Sequence, residues 1–220
     1  MNRLQIRDLI RKGLGETTSA FWIDTELNTY INLAGHDISD KVKCIRDNDY
    51  IDTVDGTAEY SLSANFPGIL SIFEVYFLQD GRTWQKLEAT SRTRLDLEYP
   101  GWMSAGSGTP IQYYENLEED QITFYVKPNG LNAGSNYARV FYSKDFSDVT
   151  DDNSSPAGIA QDLQLAMVDF VMAYGYAQRG WGDKSNDSWA KYFNRLKEYM
   201  TERGREREDQ DIIMKNYRNK

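Results

Sequence analysis

The alternation of hydrophobic and polar positions is clearest between Gly108 and Pro128. Residues alternate with a period of two along the arms 111–114 and 121–127, and the acidic connection 116–120 separates the arms. This pattern predicts an antiparallel hairpin. Its apolar face holds Ile111, Ile122, Phe124 and Val126. Because a lone hairpin is only marginally stable in water, we expect further strands or a helix to cover that face.

The same period of two runs through most of the middle of the chain. It covers the segments 50–54, 58–62, 69–78, 82–87 and 136–144. Asp55-Gly56 and Asp80-Gly81 favour hairpin turns between the first two segments and between the next two. Thr90–Tyr99 is predicted as a short helix that stops at Pro100-Gly101. We therefore expect about seven strands arranged in two or three hairpins.

Apolar side chains at three- and four-residue spacing mark helices at both ends of the chain. A first short helix should end near Gly13, and a second should begin at Asp24 as its N-cap. Ser155-Pro156 is interpreted as the start of a third helix, and the break at Gly180–Asp183 separates it from a fourth. The residues predicted to pack the helices together are Leu27, Tyr30, Ile31, Leu163, Met167, Phe170, Tyr174, Trp189 and Tyr192.

The order of helices, then strands, then helices predicts an α+β fold. It comprises N-terminal helices, a central antiparallel β-sheet or sandwich of hairpins, a C-terminal antiparallel helical hairpin and a flexible C-terminal tail. The expected domains are a helical bundle from 1–46 with 157–204, an antiparallel β-rich domain at 47–156, and a tail at 205–220. The tail is either a frayed end or a short apolar peptide presented to another protein. The peptide would consist of Ile212, Ile213, Met214 and Tyr217.

Composition and charge narrow the function classes. Hydrophobic residues make up 40% of the chain and aromatic residues 13%, which is typical of a folded protein. Neither a signal peptide nor a membrane-spanning run is recognisable, which favours a cytosol-like compartment and no membrane partner. The net charge is -9, and residues 47–158 hold 18 acidic and 7 basic side chains. Such a surface repels a phosphate backbone, so it argues against sequence-specific DNA binding, but it suits a passage through which DNA slides.

The residues needed for catalysis or metal binding are sparse. His36 and Cys44 are the only residues of their kinds, and on one helix they would lie about 12 Å apart, too far to form a nucleophilic pair. The nucleophile-elbow, P-loop and dinucleotide-binding motifs are absent. We therefore predict no enzyme activity, no cofactor and no metal. The acidic clusters are interpreted as solvated loops, with a weak calcium site as the alternative: Asp47, Asp49, Asp52, Asp55, Asp148, Asp151 and Asp152.

Aromatic residues leave a second function class open. The chain has 15 Tyr and 5 Trp, and aromatic rings can stack on the faces of sugars. Several lie off the predicted core stripes and are candidates for exposure: Trp84, Trp102, Tyr113, Tyr114 and Trp181. A glycan-binding β-rich module is therefore an alternative, and a hydrolase with paired carboxylates is a third.

Three motifs in the same order resemble the adaptor family of tailed-bacteriophage head-to-tail connectors. The first is WIDTEL followed by YINLA at 22–34, and the second is GTPIQYYENLEEDQITFYVKP at 108–128. In the second, Tyr125 and Lys127 stand where the family often has proline or small residues. The third is a helical hairpin with the family's spacing at Ala166, Tyr174, Gly180, Asp183, Ala190 and Tyr192. The resemblance spans residues 20–200.

The resemblance implies a structural virion protein at the head-to-tail junction. Family members form a ring, commonly of twelve subunits, beneath the portal protein and around the DNA channel. The helical part, with its predicted packing residues at the core of the ring, would bind the portal, and the β-rich part would face tail or fibre proteins. Residues 205–220 would reach the portal, so the apolar peptide within them would be portal-binding. DNA would pass without specific binding, and assembly would occur in the bacterial host cytoplasm. A tail-completion protein at another level of the tail is an alternative.

Overall fold

A computed structural model describes residues 1–16 and 21–218, with side chains up to Arg203. The chain forms two compact units, Met1–Cys44 with Phe146–Lys220 and Ile45–Asp145. The helices are α1 (Arg3–Leu14), α2 (Asp24–Val42), α3 (Leu62–Asn65), α4 (Arg92–Glu98), α5 (Gln161–Gln178) and α6 (Gly182–Arg218), with a 3-10 helix at Trp102–Ser104. The strands are β1 (Arg46–Thr53), β2 (Glu59–Ser61), β3 (Ile69–Gln79), β4 (Thr83–Lys86), β5 (Glu88–Ala89), β6 (Ser107–Gly108), β7 (Gln112–Asn116), β8 (Gln121–Tyr125), β9 (Lys127–Pro128) and β10 (Gly134–Lys144). The α+β class predicted from the sequence is confirmed.

The first two helices begin and end on local signals. Asn2 and Gln5 form a capping box at the start of α1, and Gly15 ends that helix at a φ of 74°, a conformation that glycine adopts at little cost. The prediction that Asp24 is the N-cap of α2 is wrong. Ile23 occupies that position without a side-chain cap, and Asp24 is the first helical residue. Its carboxylate accepts a hydrogen bond from Arg11 instead.

Helices α5 and α6 pack as the predicted antiparallel hairpin. Ser185 Oγ, near the start of α6, donates to Ala173 O near the end of α5 at 2.9 Å. Arg195, further along α6, pairs with Asp169 earlier in α5 at 2.7 Å. The predicted start at Ser155-Pro156 is too early, since α5 begins at Gln161 after the cap residue Ala160. Proline can open a helical turn, but turn and loop structure continues from Pro156 to Ala160.

The nine predicted helical packing residues lie where the helices of this unit meet. Six are buried: Leu27, Ile31, Leu163, Met167, Phe170 and Tyr192. The other three, Tyr30, Tyr174 and Trp189, are half-buried. The rings of Tyr30 and Tyr174 stack with centroids 5.6 Å apart, and Trp189 meets Tyr174 edge-on at 5.3 Å. Aromatic contacts therefore join α2, α5 and α6.

The unit Ile45–Asp145 is a β-sandwich with an additional two-stranded pair. One sheet has the order β1-β10-β3-β4, the other has the order β2-β8-β7-β5, and β6 pairs with β9. A common core contains buried side chains from both four-stranded sheets, among them Ile51, Val75, Phe77, Ala138, Val140, Tyr113, Ile122 and Phe124. The predicted hairpins β3–β4 and β7–β8 are both present and antiparallel. This unit has ten strands where about seven were expected. The short strands β5, β6 and β9 account for the difference, and the pairs β5–β7 and β6–β9 are parallel.

The hairpin predicted around Asp55-Gly56 is wrong. The turn forms, but β1 before it pairs with β10, while β2 after it pairs with β8 in the other sheet. The turn therefore connects one sheet to the other. The Tyr60 hydroxyl stabilises it by accepting from Val54 N at 3.0 Å and donating to Thr57 O at 3.0 Å. A local turn signal does not specify the partner of either strand, because edge pairing depends on residues distant in sequence.

The second boundary of the β-rich unit falls at Asp145, eleven residues before the one expected at 156. The segment after it packs within the helical unit. Phe146 is buried and its ring lies edge-on to His36 with centroids 5.5 Å apart. Asp152 forms ion pairs at 2.8 Å with both Arg3 and Arg7 of α1. The sequence pattern does not predict these contacts, because the segment after Asp145 has the composition of a loop.

Candidate interaction surfaces

The outer surface of the sheet β1-β10-β3-β4 carries aromatic and basic side chains that are exposed or half-buried. Because Val75, Val140 and their neighbours fill the core, the alternate positions of each strand point outward. We call this surface the aromatic face. It is made by Arg46, Asn48, Tyr50, Asp52, Glu74, Tyr76, Leu78, Trp84, Lys86, Arg139 and Phe141. Tyr50 is 37% exposed and Trp84 is 43% exposed.

Arg139 lies at the centre of the aromatic face. Its guanidinium carbon is 4.7 Å from the centroid of Phe141 and 5.6 Å from that of Tyr50, distances at which a cation is attracted to a ring. Its Nη2 and Nε donate to Asn48 Oδ1 at 2.7 and 3.1 Å. Tyr50 and Trp84, on the two edge strands, bring their ring centroids within 6.1 Å. The guanidinium is thus held in a defined orientation.

The tip of the β7–β8 hairpin is a second exposed feature of the same unit. We call residues 116–120 the hairpin tip. Leu117 at the tip is 45% exposed. Asn116 Nδ2 donates to Glu119 Oε2 at 2.7 Å, and Glu119 N donates to Asn116 Oδ1 at 3.2 Å. These bonds fix the turn at one side.

Asp120 fixes the other side of the hairpin tip. Its carboxylate accepts from Ser63 N at 2.6 Å and from the hydroxyls of Ser63 and Ser61 at 2.7 Å. The hydrogen bonds from Ser63, followed by the one from Ser61, lower the pKa of Asp120, because they stabilise its charged form. The tip therefore presents an apolar residue and acidic residues on a defined backbone.

The helical unit has an exposed aromatic and basic patch of its own. Phe21 is 58% exposed and Trp181 is 42% exposed. Arg179 lies over both rings, at 5.1 and 5.4 Å from their centroids. Lys184 Nζ is 4.4 Å from the centroid of Trp181. These contacts stabilise the link between α5 and α6 and leave much of both rings in solvent.

Three arginines of α1 connect that helix to distant parts of the helical unit. Arg7 is buried and bonds to Asp152 Oδ2 at 2.8 Å and to Asn28 Oδ1 at 3.1 Å. Arg11 is also buried and donates to Trp22 O at 2.9 Å. Hydrogen bonds from Arg7 and then from Arg3 lower the pKa of Asp152. A network of charge-assisted bonds of this kind fixes the position of α1 and is structural.

A family comparison identifies what kind of protein carries these surfaces. Residues 1–214 match the model of the family described as SU10 adaptor protein. The chain belongs to the SU10 adaptor family. The resemblance to the adaptors of tailed-bacteriophage head-to-tail connectors is thereby confirmed, and with it the interpretation as a structural virion protein.

Among solved structures, one similar chain comes from the structure described as "Neck of empty GTA particle computed with C6 symmetry". The two chains are 13% identical, and the alignment covers 79% of this chain and 77% of that chain with a TM-score of 0.29. No curated protein matches this SU10 adaptor family member in sequence. None of the helices in the described part of the chain is long and apolar enough to cross a membrane.

The two residues considered for catalysis in this SU10 adaptor family member, His36 and Cys44, both belong to the helical unit. His36 Nε2 hydrogen-bonds to Asp148 Oδ1 at 3.0 Å. Cys44 is half-buried and lies beyond the end of α2 at Val42, so the expectation that it shares a helix with His36 is wrong. Within residues 1–16 and 21–203, no group of three or more His, Cys, Asp or Glu side chains is arranged to hold a metal ion.

Several of the acidic residues interpreted as solvated are bonded to protein groups. Asp47 pairs with Lys144 at 2.6 Å, and the hydrogen bond from Lys144 lowers its pKa. Asp52 Oδ1 accepts from Asn136 N at 2.8 Å. Asp152 binds the arginines of α1, as described above. These partners could not be predicted from local sequence, because each lies at least 84 residues away along the chain.

The five aromatic residues expected to be candidates for exposure divide into two groups. Trp84 and Trp181 are exposed, whereas Trp102, Tyr113 and Tyr114 are buried. Burial, followed by the nearby charge of Glu115, raises the pKa of Tyr113 to about 12. Trp102 Nε1 donates to Asp96 Oδ1 at 2.7 Å. The strand β7 is covered on both faces, because α4 and the 3-10 helix pack over the side that holds Tyr114.

The predicted portal-binding residues Ile212, Ile213, Met214 and Tyr217 lie outside the described side chains. The backbone of α6 extends over this segment to Arg218, where the sequence pattern predicts a tail from residue 205. The role of these four residues stays a prediction.

Proposed function

We propose that this chain is the head-to-tail connector adaptor of a tailed-phage-like particle, forming a closed ring that joins the portal protein to the tail. The family match over residues 1–214 carries this proposal. A ring of twelve copies, the helical unit toward the portal and the β-rich unit toward tail or fibre proteins follow from the resemblance. The chain acts by binding and performs no catalysis.

The charge of the chain supports the passage of DNA through such a ring. Each copy carries a net charge of -9, so a ring of twelve copies surrounds its channel with a strongly anionic protein. Anionic protein repels the phosphate backbone and lets DNA move without adhering. The ring is assembled in the host cytoplasm, where virion components are made, and remains in the virion at the junction of head and tail.

A complex with the portal tests the proposed function. Purified full-length chain is mixed with purified portal rings and analysed by electron microscopy and native mass spectrometry. We expect a stoichiometric ring of this chain on each portal. No complex over a range of salt concentrations and pH values would contradict the proposal.

The tail residues give a second variant for the same experiment. Deletion of residues 204–220 removes Ile212, Ile213, Met214 and Tyr217 and should abolish portal attachment. The unfolding temperature should remain unchanged, because Tyr192 and Leu196, which are buried side chains of α6, precede the deleted segment. A truncated chain that still binds the portal would exclude the tail as the attachment site, while a loss of cooperative unfolding would place the segment in the core.

A further inference from the structure

The aromatic face differs in charge from the unit that carries it. The segment 45–145 holds 15 acidic and 8 basic residues. The face brings together three cations, Arg46, Lys86 and Arg139. Its two carboxylates already have partners, since Glu74 pairs with Lys86 at 2.6 Å and Asp52, at the end of β1, accepts from Asn136 N at 2.8 Å. Asp47 and Asp49 alternate with the outward residues of β1 and therefore point to the opposite side. The face is a local basic surface on an acidic unit, and its chemistry suits an acidic ligand.

Arg139 is prepared to bind a carboxylate. Its Nε and Nη2 are engaged by Asn48, and among the described residues its Nη1 has no acceptor. The two rings beneath the guanidinium restrict its motion, so little side-chain entropy remains to be lost on binding. Trp84 and Tyr50 add exposed apolar surface beside it.

The hairpin tip has the complementary chemistry. It presents the exposed Leu117 next to Glu118 and Glu119, which are also exposed. The hydrogen bond from Glu119 N to Asn116 Oδ1 and the one from Ser63 N to Asp120 Oδ1 hold the tip on both sides. An ordered tip with one apolar and two acidic side chains matches a face with exposed aromatic rings and a positioned arginine.

We propose that the hairpin tip of one copy docks on the aromatic face of the next copy in the ring. Leu117 packs against Trp84 and Tyr50, and the carboxylates of Glu118 and Glu119 approach Arg139. This inference rests on the proposed ring. The tip belongs to one sheet of the sandwich and the face is the outer surface of the other, so the contact joins two different surfaces and repeats from copy to copy. Such a heterologous contact closes into a ring or continues as a filament.

Charge reversal on each side tests the contact. The variants are Arg139→Glu on the face and Glu118→Arg with Glu119→Arg on the tip, in the full-length chain. Self-association is measured by sedimentation velocity and native mass spectrometry at low salt. Each variant should weaken association by about tenfold or more, because like charges then meet in the contact. Combining both reversals in one chain restores opposite charges across the contact. Association should then recover to within about threefold of the original chain, because the effects of mutations at residues in direct contact do not add.

Arg92→Glu is the matched control, since Arg92 is exposed at the start of α4 and the charge change is the same. It should assemble like the original chain, and thermal unfolding of all variants should show that they fold.

If the original chain forms rings and both reversals leave them unchanged, the docking proposal is overturned while the ring stands. If Arg139→Glu instead abolishes binding to an oligosaccharide array and leaves self-association unchanged, the face binds glycans and the docking proposal is likewise overturned. A chain that never self-associates, alone or on the portal, overturns the ring itself.

Discussion

Individual arginine residues determine much of how the helical unit is assembled. Arg3 and Arg7 bind one carboxylate, Asp152, which is separated from them by more than 140 residues. Arg7 is buried, so its charge needs compensation within the fold. Because the pKa of Asp152 is lowered in the folded state, the ionised carboxylate stabilises that state. This stabilisation is complete above the unfolded pKa and is lost as the pH falls through the folded pKa.

Replacing Asp152→Asn should therefore lower the free energy of unfolding at pH 7 by about 1–2 kcal/mol, a value that allows for solvent screening of the partly exposed carboxylate. The difference from the original chain should shrink below about pH 4, where the carboxylate becomes protonated. Urea unfolding between pH 3 and pH 7 measures it. Asp187→Asn, at an exposed position of α6, serves as the control and should change little. A deficit that is constant with pH would exclude the ion pairs as its cause.

At the scale of elements, the contact between α2 and the segment after β10 depends on the absence of a side chain. Gly35 lies inside α2 and is buried. A Cβ at this position would lie 2.5 Å from Cε1 and 2.8 Å from Cγ of Phe146, whose ring is buried. The glycine thus permits Phe146 to pack directly on the helix, which holds the residues after Asp145 in the helical unit.

Gly35→Ala should destabilise the chain by about 1–3 kcal/mol through overpacking, although alanine is favoured over glycine inside a helix by about 1 kcal/mol. The control is Gly182→Ala at the start of α6, where a Cβ would meet no heavy atom within 4 Å. That variant should be neutral or slightly stabilised. Denaturant midpoints followed by circular dichroism compare the two. Equal behaviour of both variants would show that Phe146 can move away without loss.

At the scale of the molecule, the two units differ in how the chain contributes to them. The β-sandwich core is formed entirely by side chains between residues 51 and 142. The helical unit combines residues 1–44 with the segment that begins at Phe146. A continuous segment with its own core is able to fold by itself, whereas the helical unit requires both of its segments.

The isolated segment 45–145 should therefore unfold cooperatively and give a dispersed amide spectrum by nuclear magnetic resonance. Residues 1–44 alone should remain unfolded, because the buried side chains of α1 and α2 lose their contacts with α5. Expression of both fragments tests this. A segment 45–145 that unfolds without a cooperative transition would show that the sandwich depends on the helical unit.

The surfaces could be anticipated from sequence only in part. The hairpin tip was predictable, because alternation on both arms defines β7 and β8 and leaves an acidic connection between them. The aromatic face was not. Its residues come from four strands, and whether Trp84 or Trp102 is exposed depends on which of them another element covers. Trp102 is buried because α4 and the 3-10 helix pack over β7, a contact for which local pattern carries no signal.

Local periodicity by itself determined the helices, most strands and the α+β class, since a helix or a strand shows its buried face through the spacing of its own apolar residues. Tertiary structure alone decided that the strands around Asp55-Gly56 belong to different sheets, that the segment after Asp145 joins the helical unit, and that Arg139 lies over two aromatic rings. These outcomes depend on the free energy of contacts between residues that are far apart in sequence. Which of the possible partners a residue contacts depends on the whole chain, so the sequence of any single segment does not determine it.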